Sequence, residues 1–156
     1  MIPGSTWYRC DLHVHTPNSN DYGDSAESAQ KWLRSACDAG LDCVALTDHN
    51  CAPPIEEYRE TLEFLDGDPS QGLVIFPGVE ITVETGFHLL VIFDPEKSSQ
   101  HVSSFLSAAG IPHEQHGELE VQAGSISDVL EEVCSHEGVS VLAHANDNAG
   151  LFVTSD

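Results

Sequence analysis

Basic residues are scarce in this chain. Only 5 of its 156 residues are lysine or arginine, against 26 aspartates and glutamates, and the formal net charge at pH 7 is −21. Direct binding of nucleic acid depends on basic side chains that displace counterions from phosphates, so a surface of this sign repels nucleic acid and attracts cations. If nucleic acid is bound, metal ions or another domain must supply the positive charge. Solubility or adaptation to salt is an alternative explanation for most of the acidic excess.

Long apolar runs and closely paired cysteines are also lacking. No stretch is long enough to span a membrane, and no basic-then-apolar leader opens the sequence, so we expect a cytoplasmic protein without a membrane partner. The five cysteines are odd in number, and no two of them are separated by two residues. This pattern argues against a disulfide framework and against a zinc knuckle. We expect the cysteines to be mostly small buried apolar residues.

What the chain does contain is enough apolar sequence for one domain, residues 1–156, with its own core. Hydrophobic residues make up 40% of the total, and apolar periodicity with turn residues predicts strands alternating with helices. The predicted helices begin at an Asp24–Glu27 capping box, at Pro53, at Ser98 and at Ser127. The predicted strands are Tyr8–His15, Leu41–Thr47, Leu73–Phe76, Phe87–Phe93 and Val139–Ala143. The fourth is expected to run antiparallel to the third, or to lie beside it, across the turn 84–86.

Chemically versatile residues recur where the predicted strands end. The strand–helix order indicates a parallel α/β fold, open or closed into a barrel, and such folds gather functional residues at the carboxyl ends of the strands. His13 and His15 end the first strand and share a face, because side chains two apart on a strand point the same way. His49, Glu80 and His144 follow the second, third and fifth strands. This placement predicts a metal site.

The candidate ligands combine imidazole nitrogens with carboxylate oxygens and include no thiolate, a mixture that suits zinc, manganese or iron better than calcium or magnesium. They outnumber what one tetrahedral ion needs, which indicates a multinuclear site in which Glu80 bridges two ions. Adjacent metals can generate a hydroxide near neutral pH and hold the oxygens of a transferring phosphoryl group. The candidate metal ligands are His13, His15, Asp21, His49, Glu80, His88 and His144.

Structural alternatives exist for several of these residues. His49 is a candidate helix-entry residue, Asp21 a turn former, Glu80 a solvated charge and His88 an ordinary strand histidine. Asp48 is expected to be structural or to orient an imidazole. Trp7 and Trp32 are expected in the core, and the remaining histidines on the surface, with two of them a secondary candidate metal pair. The remaining histidines are His101, His113, His116 and His136, and the secondary pair is His113 with His116.

Taken in order, the motifs resemble the PHP (polymerase and histidinol phosphatase) domain, and the similarity covers residues 7–144. The opening 4–7 and the run 88–94 are most similar to PHP domains placed N-terminal to AAA- or SMC-like ATPases. The motifs that carry the resemblance are His13-Val14-His15-Thr16 with Ser19 and Asp21, Thr47-Asp48-His49, Pro77-Gly78-Val79-Glu80 and Ala143-His144.

The resemblance implies a distorted seven-stranded β/α barrel that holds two or three divalent ions, zinc, manganese or iron. By position, His13 and His15 would hold one ion, Glu80 would bridge to another, and Asp21 with His49 would hold a further one.

His144 matches the fourth family motif, and His88 is assigned the remaining histidine position. The family also carries an Asp-x-His on its last strand, which this sequence lacks. The run 154–156 resembles only the start of that motif and follows His144 too closely. We therefore expect a chain truncated at its C-terminus, with one or two ions incompletely ligated.

The function predicted from the donor set and the resemblance is a metal-dependent phosphoesterase. A hydroxide held between metals attacks phosphorus in line, the ions neutralise the charge on the non-bridging oxygens, and His49 or His144 protonates the leaving alkoxide. Glu80 joins these two as a catalytic candidate because it bridges the ions. The scarcity of basic residues favours a small phosphomonoester as substrate. The similarity to ATPase-fused domains favours a nucleic-acid end, reached through other domains.

Two other functions compete with this one. Amidohydrolases also place His-x-His at the end of the first barrel strand, but they generally add a metal-bridging lysine, and neither Lys31 nor Lys97 follows a strand. The third hypothesis is a non-catalytic, metal-binding structural or regulatory module of a larger ATPase- or DNA-associated protein.

Overall fold

The computed structural model describes residues 7–24, 26–65, 72–146 and 149–152. All five predicted strands and all four predicted helices are present. No helix in these ranges is long and apolar enough to cross a membrane. In chain order the elements are β1 (Cys10–Val14), α1 (Ala29–Asp38), β2 (Cys43–Leu46), α2 (Ile55–Glu63), β3 (Val74–Thr82), β4 (His88–Ile92), α3 (Ser99–Ala108), a 3-10 turn (His113–Gln115), α4 (Ile126–Ser135) and β5 (Val139–Leu142).

The strands form one sheet in the order β1-β2-β3-β4-β5. Its first three strands are parallel, as the strand–helix order predicts, but β4 runs antiparallel to β3 and β5 antiparallel to β4. The antiparallel course of β4 agrees with the expectation for a strand that only a short turn joins to β3, because a parallel pair needs a much longer crossover. Gly86 in that turn has a φ of 86°, a conformation that favours glycine.

The sheet is strongly curled into a half-barrel. Five flat strands would hold β1 and β5 about 19 Å apart, at about 4.8 Å per strand. The rings of His13 at one edge and His144 beside the other nevertheless have centroids 5.6 Å apart. The seven strands that the resemblance implies are not seen within the described residues. The motif-like run 154–156 and the opening residues 4–6 lie outside them.

Strand β3 changes its partner at Pro77 and Gly78. Residues 74–77 pair with β2, and residues 78–82 pair with β4. Proline has no N–H to give to a ladder, so it fits where the pairing changes side. A Cβ built on Gly78 would lie 2.9 Å from the Val91 carbonyl oxygen and 3.2 Å from that of Leu46. Only glycine therefore allows both neighbouring strands to approach this closely.

We expect Gly78→Ala to lower the free energy of unfolding by about 1–3 kcal/mol, because two backbone carbonyls must move apart to admit the methyl group. Urea unfolding measures the loss. Gly23→Ala is the matched control, since a Cβ there meets no atom within 4 Å, and its effect should stay within about 0.5 kcal/mol. Equal stabilities for the two variants would contradict the close approach.

The helices cover one face of the sheet with two apolar clusters. One joins α1 and α2 to β2 and the start of β3, and the other joins α3 and α4 to β3 and β4. Val79 and Ile81 are fully buried in the second cluster. Because side chains alternate along a strand, Glu80 and Thr82 point to the opposite, concave face.

Three expectations need correction. Helix α1 begins at Ala29 with Ser28 as its N-cap, not at Asp24, and the Glu27 carboxylate accepts hydrogen bonds from other side chains instead of closing a capping box. Trp32 is in the core at 7% exposure, but Trp7 is 90% exposed because it precedes the edge strand β1. All five cysteines are free, as expected, but only Cys51 is buried.

Candidate metal centre

The centre is built around Glu80, which is buried on the concave face. Glu80 lies within β3, near its C-terminal end, and not after the strand as expected, because β3 continues to Thr82. Five imidazoles converge on its carboxylate. The contacts are Oε2 to His13 Nε2 at 3.1 Å, His15 Nε2 at 2.9 Å and His49 Nδ1 at 3.4 Å, and Oε1 to His88 Nδ1 at 2.9 Å and His144 Nε2 at 3.0 Å.

These histidines meet because of strand direction. The parallel strands β1 and β2 bring His13, His15 and His49 to the edge of the sheet where their carboxyl ends lie. The antiparallel β4 starts at that edge, so His88 is its first residue, and β5 ends there just before His144. Strand topology alone therefore gathers side chains that are up to 131 positions apart in sequence.

The geometry fits bound cations better than hydrogen bonds alone. A carboxylate offers about four lone-pair sites, and here it faces five imidazole nitrogens. Donors that share a tetrahedral ion at 2.0–2.1 Å lie about 3.3 Å apart, close to the separations observed. Two groups that share Glu80 have ligand atoms within 4.8 Å of one another, His13 with His15 and His49 with His88.

The surrounding groups shift the pKa values of Glu80 and His15 in opposite directions. Burial raises the pKa of Glu80, but the hydrogen bonds donated by the surrounding imidazoles outweigh it and hold that pKa well below its ordinary value. Burial lowers the pKa of His15, but Glu80 and Asp21 outweigh it and raise the pKa to about 9. A bound cation would take the place of such a proton, because metals bind the neutral imidazole.

Asp21 lies beside His15. Its Oδ1 accepts a hydrogen bond from His15 Nδ1 at 2.9 Å and another from the Ser19 hydroxyl at 2.5 Å. The resemblance instead implies that Asp21 and His49 hold an ion together, and the two described groups of ligand atoms do not include Asp21. A carboxylate behind a histidine fixes the tautomer and orientation of the ring.

Asp48 is fully buried and holds the loop after β1 rather than an imidazole. Its two oxygens accept hydrogen bonds from the Thr16 N–H at 2.6 Å and the Thr16 hydroxyl at 2.7 Å. Burial raises the pKa of Asp48 to about 6, and the bonds from Thr16 oppose that change. The expectation of a structural role is consistent with this geometry, although the group it orients is the backbone beside His15.

Thr82 and Ser19 fix His49 from two sides. His49 Nε2 lies 3.1 Å from Thr82 Oγ1, and the His49 N–H donates to Ser19 Oγ at 3.0 Å. Sequence reasoning missed Thr82, although its position two residues after Glu80 places it on the same face of β3. His144 has a φ of 24°, a strained backbone conformation of the kind found at functional sites.

A sequence model of the PHP domain matches residues 11–150. The chain belongs to the PHP domain family. Among curated proteins, the error-prone DNA polymerase of Symbiobacterium thermophilum is 28% identical over 147 residues, which are 92% of this chain and 12% of the polymerase. The chain therefore spans about one eighth of that relative's length. The narrower similarity to ATPase-fused domains is not shown by these matches.

Solved structures share the fold of this PHP domain. One is a protein of Bifidobacterium adolescentis that is provisionally described as a metal-dependent phosphoesterase. It superposes with a TM-score of 0.62 at 21% identity, and the match covers 96% of this chain and 71% of the Bifidobacterium chain. Another is an amidohydrolase from Chromobacterium violaceum, solved with bound sulfate and no metal. It superposes with a TM-score of 0.55 at 19% identity, and the match covers 87% of this chain and 66% of the amidohydrolase chain.

The other histidines of this PHP domain lie apart from the centre. His101 and His136 are half-buried and pack with Phe93 and Phe105, so they are not simply surface residues. His113 and His116 have ring centroids 5.1 Å apart, but His116 Nε2 bonds a backbone carbonyl. Neither joins a group of three ligand atoms within the described ranges, so the secondary metal pair gains no support.

The centre opens into a cavity of about 430 Å³. All seven predicted ligands line it, and the eighth lining residue is Leu119, which sequence reasoning did not single out. None of the five lysines and arginines, all of which fall within the described ranges, lines this cavity. Positive charge at the cavity would thus come from imidazolium groups or bound metal ions.

Proposed function

We propose that this PHP domain is a metal-dependent phosphoesterase acting on small phosphate esters. The observation that carries the proposal is the convergence of five imidazoles on the single buried carboxylate of Glu80 at an open cavity. Membership of the PHP family and a shared fold with a metal-dependent phosphoesterase are consistent with it.

The residues that would hold the ions divide into two groups joined by Glu80. His13 and His15 form one group, and His49 and His88 the other, with His144 close to the second carboxylate oxygen. This donor set suits two or three zinc, manganese or iron ions. Bound there, divalent ions supply a nucleophile near neutral pH and neutralise charge on the phosphoryl oxygens.

The chain's own side chains orient the ligands and handle protons. Asp21 fixes the His15 ring, and Thr82 fixes His49. Of the two candidate general acids, His144 is better placed, because its side chain is 30% exposed beside the cavity whereas that of His49 is 6% exposed. We propose that His144 protonates the leaving alkoxide and that His49 serves mainly as a ligand.

The scarcity of cations favours a small substrate. Lys31 pairs with Glu27 and Lys97 with Glu137, both away from the cavity. A nucleic-acid end would need basic groups from another domain to offset repulsion by the acidic surface. Because neither lysine lines the cavity, this chain has no candidate for the metal-bridging lysine that amidohydrolases generally use.

The proposal predicts metal-dependent turnover. Metal-stripped protein reconstituted with zinc, manganese or iron should release p-nitrophenol from p-nitrophenyl phosphate, and chelator should abolish that release. Reconstitution should also raise the melting temperature by several degrees, because ions that bind only the folded state stabilise it. Elemental analysis gives the number of ions per chain. Bound metal without turnover of this ester, of bis-p-nitrophenyl phosphate or of oligonucleotides would instead support the non-catalytic module.

A further inference from the structure

Leu119 is an apolar side chain in an otherwise polar cavity. It lines the space together with the seven candidate ligands and is 41% exposed. It belongs to the irregular segment that joins α3 to α4. A half-exposed leucine facing a polar site offers a contact to an apolar part of a bound molecule.

The segment around Leu119 is fixed by two asparagines. Asn20 Nδ2 donates to the Gly117 carbonyl at 2.6 Å, and the Gly117 N–H donates to the Asn50 carbonyl at 2.8 Å. The side-chain amide of the fully buried Asn50 donates to the carbonyls of Glu118 at 3.0 Å and Val121 at 3.1 Å. Hydrogen bonds therefore fix the backbone on both sides of Leu119.

The two asparagines also tie Leu119 to the metal centre. Asn20 directly precedes Asp21, and Asn50 directly follows His49. The segment that presents Leu119 is thus bonded to the same loops that present candidate ligands. The position of Leu119 relative to a phosphate bound at the ions is therefore fixed. A contact residue held in a fixed position can select one kind of substrate.

The surrounding charge narrows the choice of substrate further. Glu118 and Glu120 flank Leu119 and are exposed. No lysine or arginine lines the cavity in the part of the chain that the structure describes. Neither glutamate lines the cavity itself, but both add negative charge close to Leu119 in sequence. A second anionic group on the substrate would find no lysine or arginine to compensate it, which disfavours its binding.

We propose that Leu119 determines substrate specificity by contacting the leaving group of a phosphate monoester, and that this leaving group is apolar and uncharged. The inference rests on the proposed phosphoesterase function for its substrate class. The contact itself is a matter of binding, and binding can be measured without turnover.

Calorimetry with metal-loaded protein tests the contact. Phenylphosphonate and methylphosphonate present the same anion with and without an apolar ring. The wild-type protein should bind phenylphosphonate about tenfold more tightly, and Leu119→Ala should remove that preference while leaving metal content unchanged. Leu130→Ala on α4 is the matched control, since Leu130 is 40% exposed and lines no part of this cavity. A preference that survives Leu119→Ala would overturn the proposal.

A charged probe tests the second part of the inference. 4-Carboxyphenylphosphonate should bind the wild-type protein several-fold more weakly than phenylphosphonate. The double variant E118Q/E120Q should reduce that difference. Equal affinities of the wild-type protein for the two probes would show that the leaving group need not be uncharged.

Turnover separates this inference from the proposed function. If the loaded protein hydrolyses no ester but shows the Leu119-dependent preference, catalysis is wrong and the contact stands. If it hydrolyses p-nitrophenyl phosphate and glycerol 2-phosphate, and Leu119→Ala changes kcat/KM for both equally, the phosphoesterase stands and the specificity role is wrong.

Discussion

Replacing Glu80 with glutamine is expected to abolish tight metal binding and, with it, phosphoesterase activity. The substitution keeps the size of the side chain but removes its charge and turns one ligand oxygen into an amide nitrogen. Both candidate groups of ligands share this carboxylate, so both lose affinity together. We expect a loss larger than the roughly 10- to 100-fold that follows removal of a group behind a metal ligand.

Elemental analysis and metal titration measure the effect. Added zinc or manganese should raise the melting temperature of the wild-type protein but not that of Glu80→Gln. Glu84→Gln is the control, because Glu84 is an exposed carboxylate just beyond the end of the same strand and should leave metal content unaltered. Wild-type metal content in Glu80→Gln would show that the centre is not organised around this residue.

The second large effect is expected from Asp48→Ala. Thr16 would lose the acceptors of both its N–H and its hydroxyl at a fully buried position. Leaving two such donors unsatisfied should lower the free energy of unfolding by about 3 kcal/mol, which corresponds to a fall of about 10 °C in the melting temperature. Metal affinity should fall as well, because the loop that Asp48 anchors begins next to His15.

Two further variants keep this prediction testable. Asp48→Asn retains one acceptor oxygen and should fold with a smaller loss, about 1–2 kcal/mol. Asp38→Asn alters an exposed residue at the end of α1 and should change stability by less than about 0.5 kcal/mol. Urea unfolding of Asp48→Ala, Asp48→Asn and Asp38→Asn ranks the three variants by their free energy of unfolding. Asp48→Asn as stable as Asp38→Asn would mean that the buried carboxylate does not anchor the loop.

The centre was largely predictable because its parts obey one rule, that functional residues follow strand ends. His13, His15, His49 and His144 could be placed at one edge of the sheet from periodicity and stop signals alone. His88 required the family resemblance, because it begins a strand instead of ending one. Its arrival at the same edge depends on the reversal of β4, which the short turn before it indicates.

Other features depend on loop geometry, which periodicity does not encode. The hydrogen bonds of Asp21 to His15 and Ser19 in the loop after β1 could not be read from the sequence, and the sharing of an ion by Asp21 and His49 stays a prediction. Leu119 lies in a segment without helical or strand period, and its approach to the cavity depends on hydrogen bonds from Asn20 and Asn50. Trp7 was misplaced because apolar character does not reveal whether a neighbouring element covers it.

Strands β1 and β5 lie at the two ends of the sheet, so among the described residues each has one side of its backbone without a strand partner. Another chain can add a strand to such an edge, and the exposed apolar side chains of Val139 and Val141 favour this pairing at β5. The net charge of −21 opposes that encounter. The screening length of this electrostatic repulsion falls from about 10 Å at 0.1 M salt to about 3 Å at 1 M. We therefore expect the negative net charge to oppose edge-to-edge aggregation at low salt and to oppose it much less at high salt.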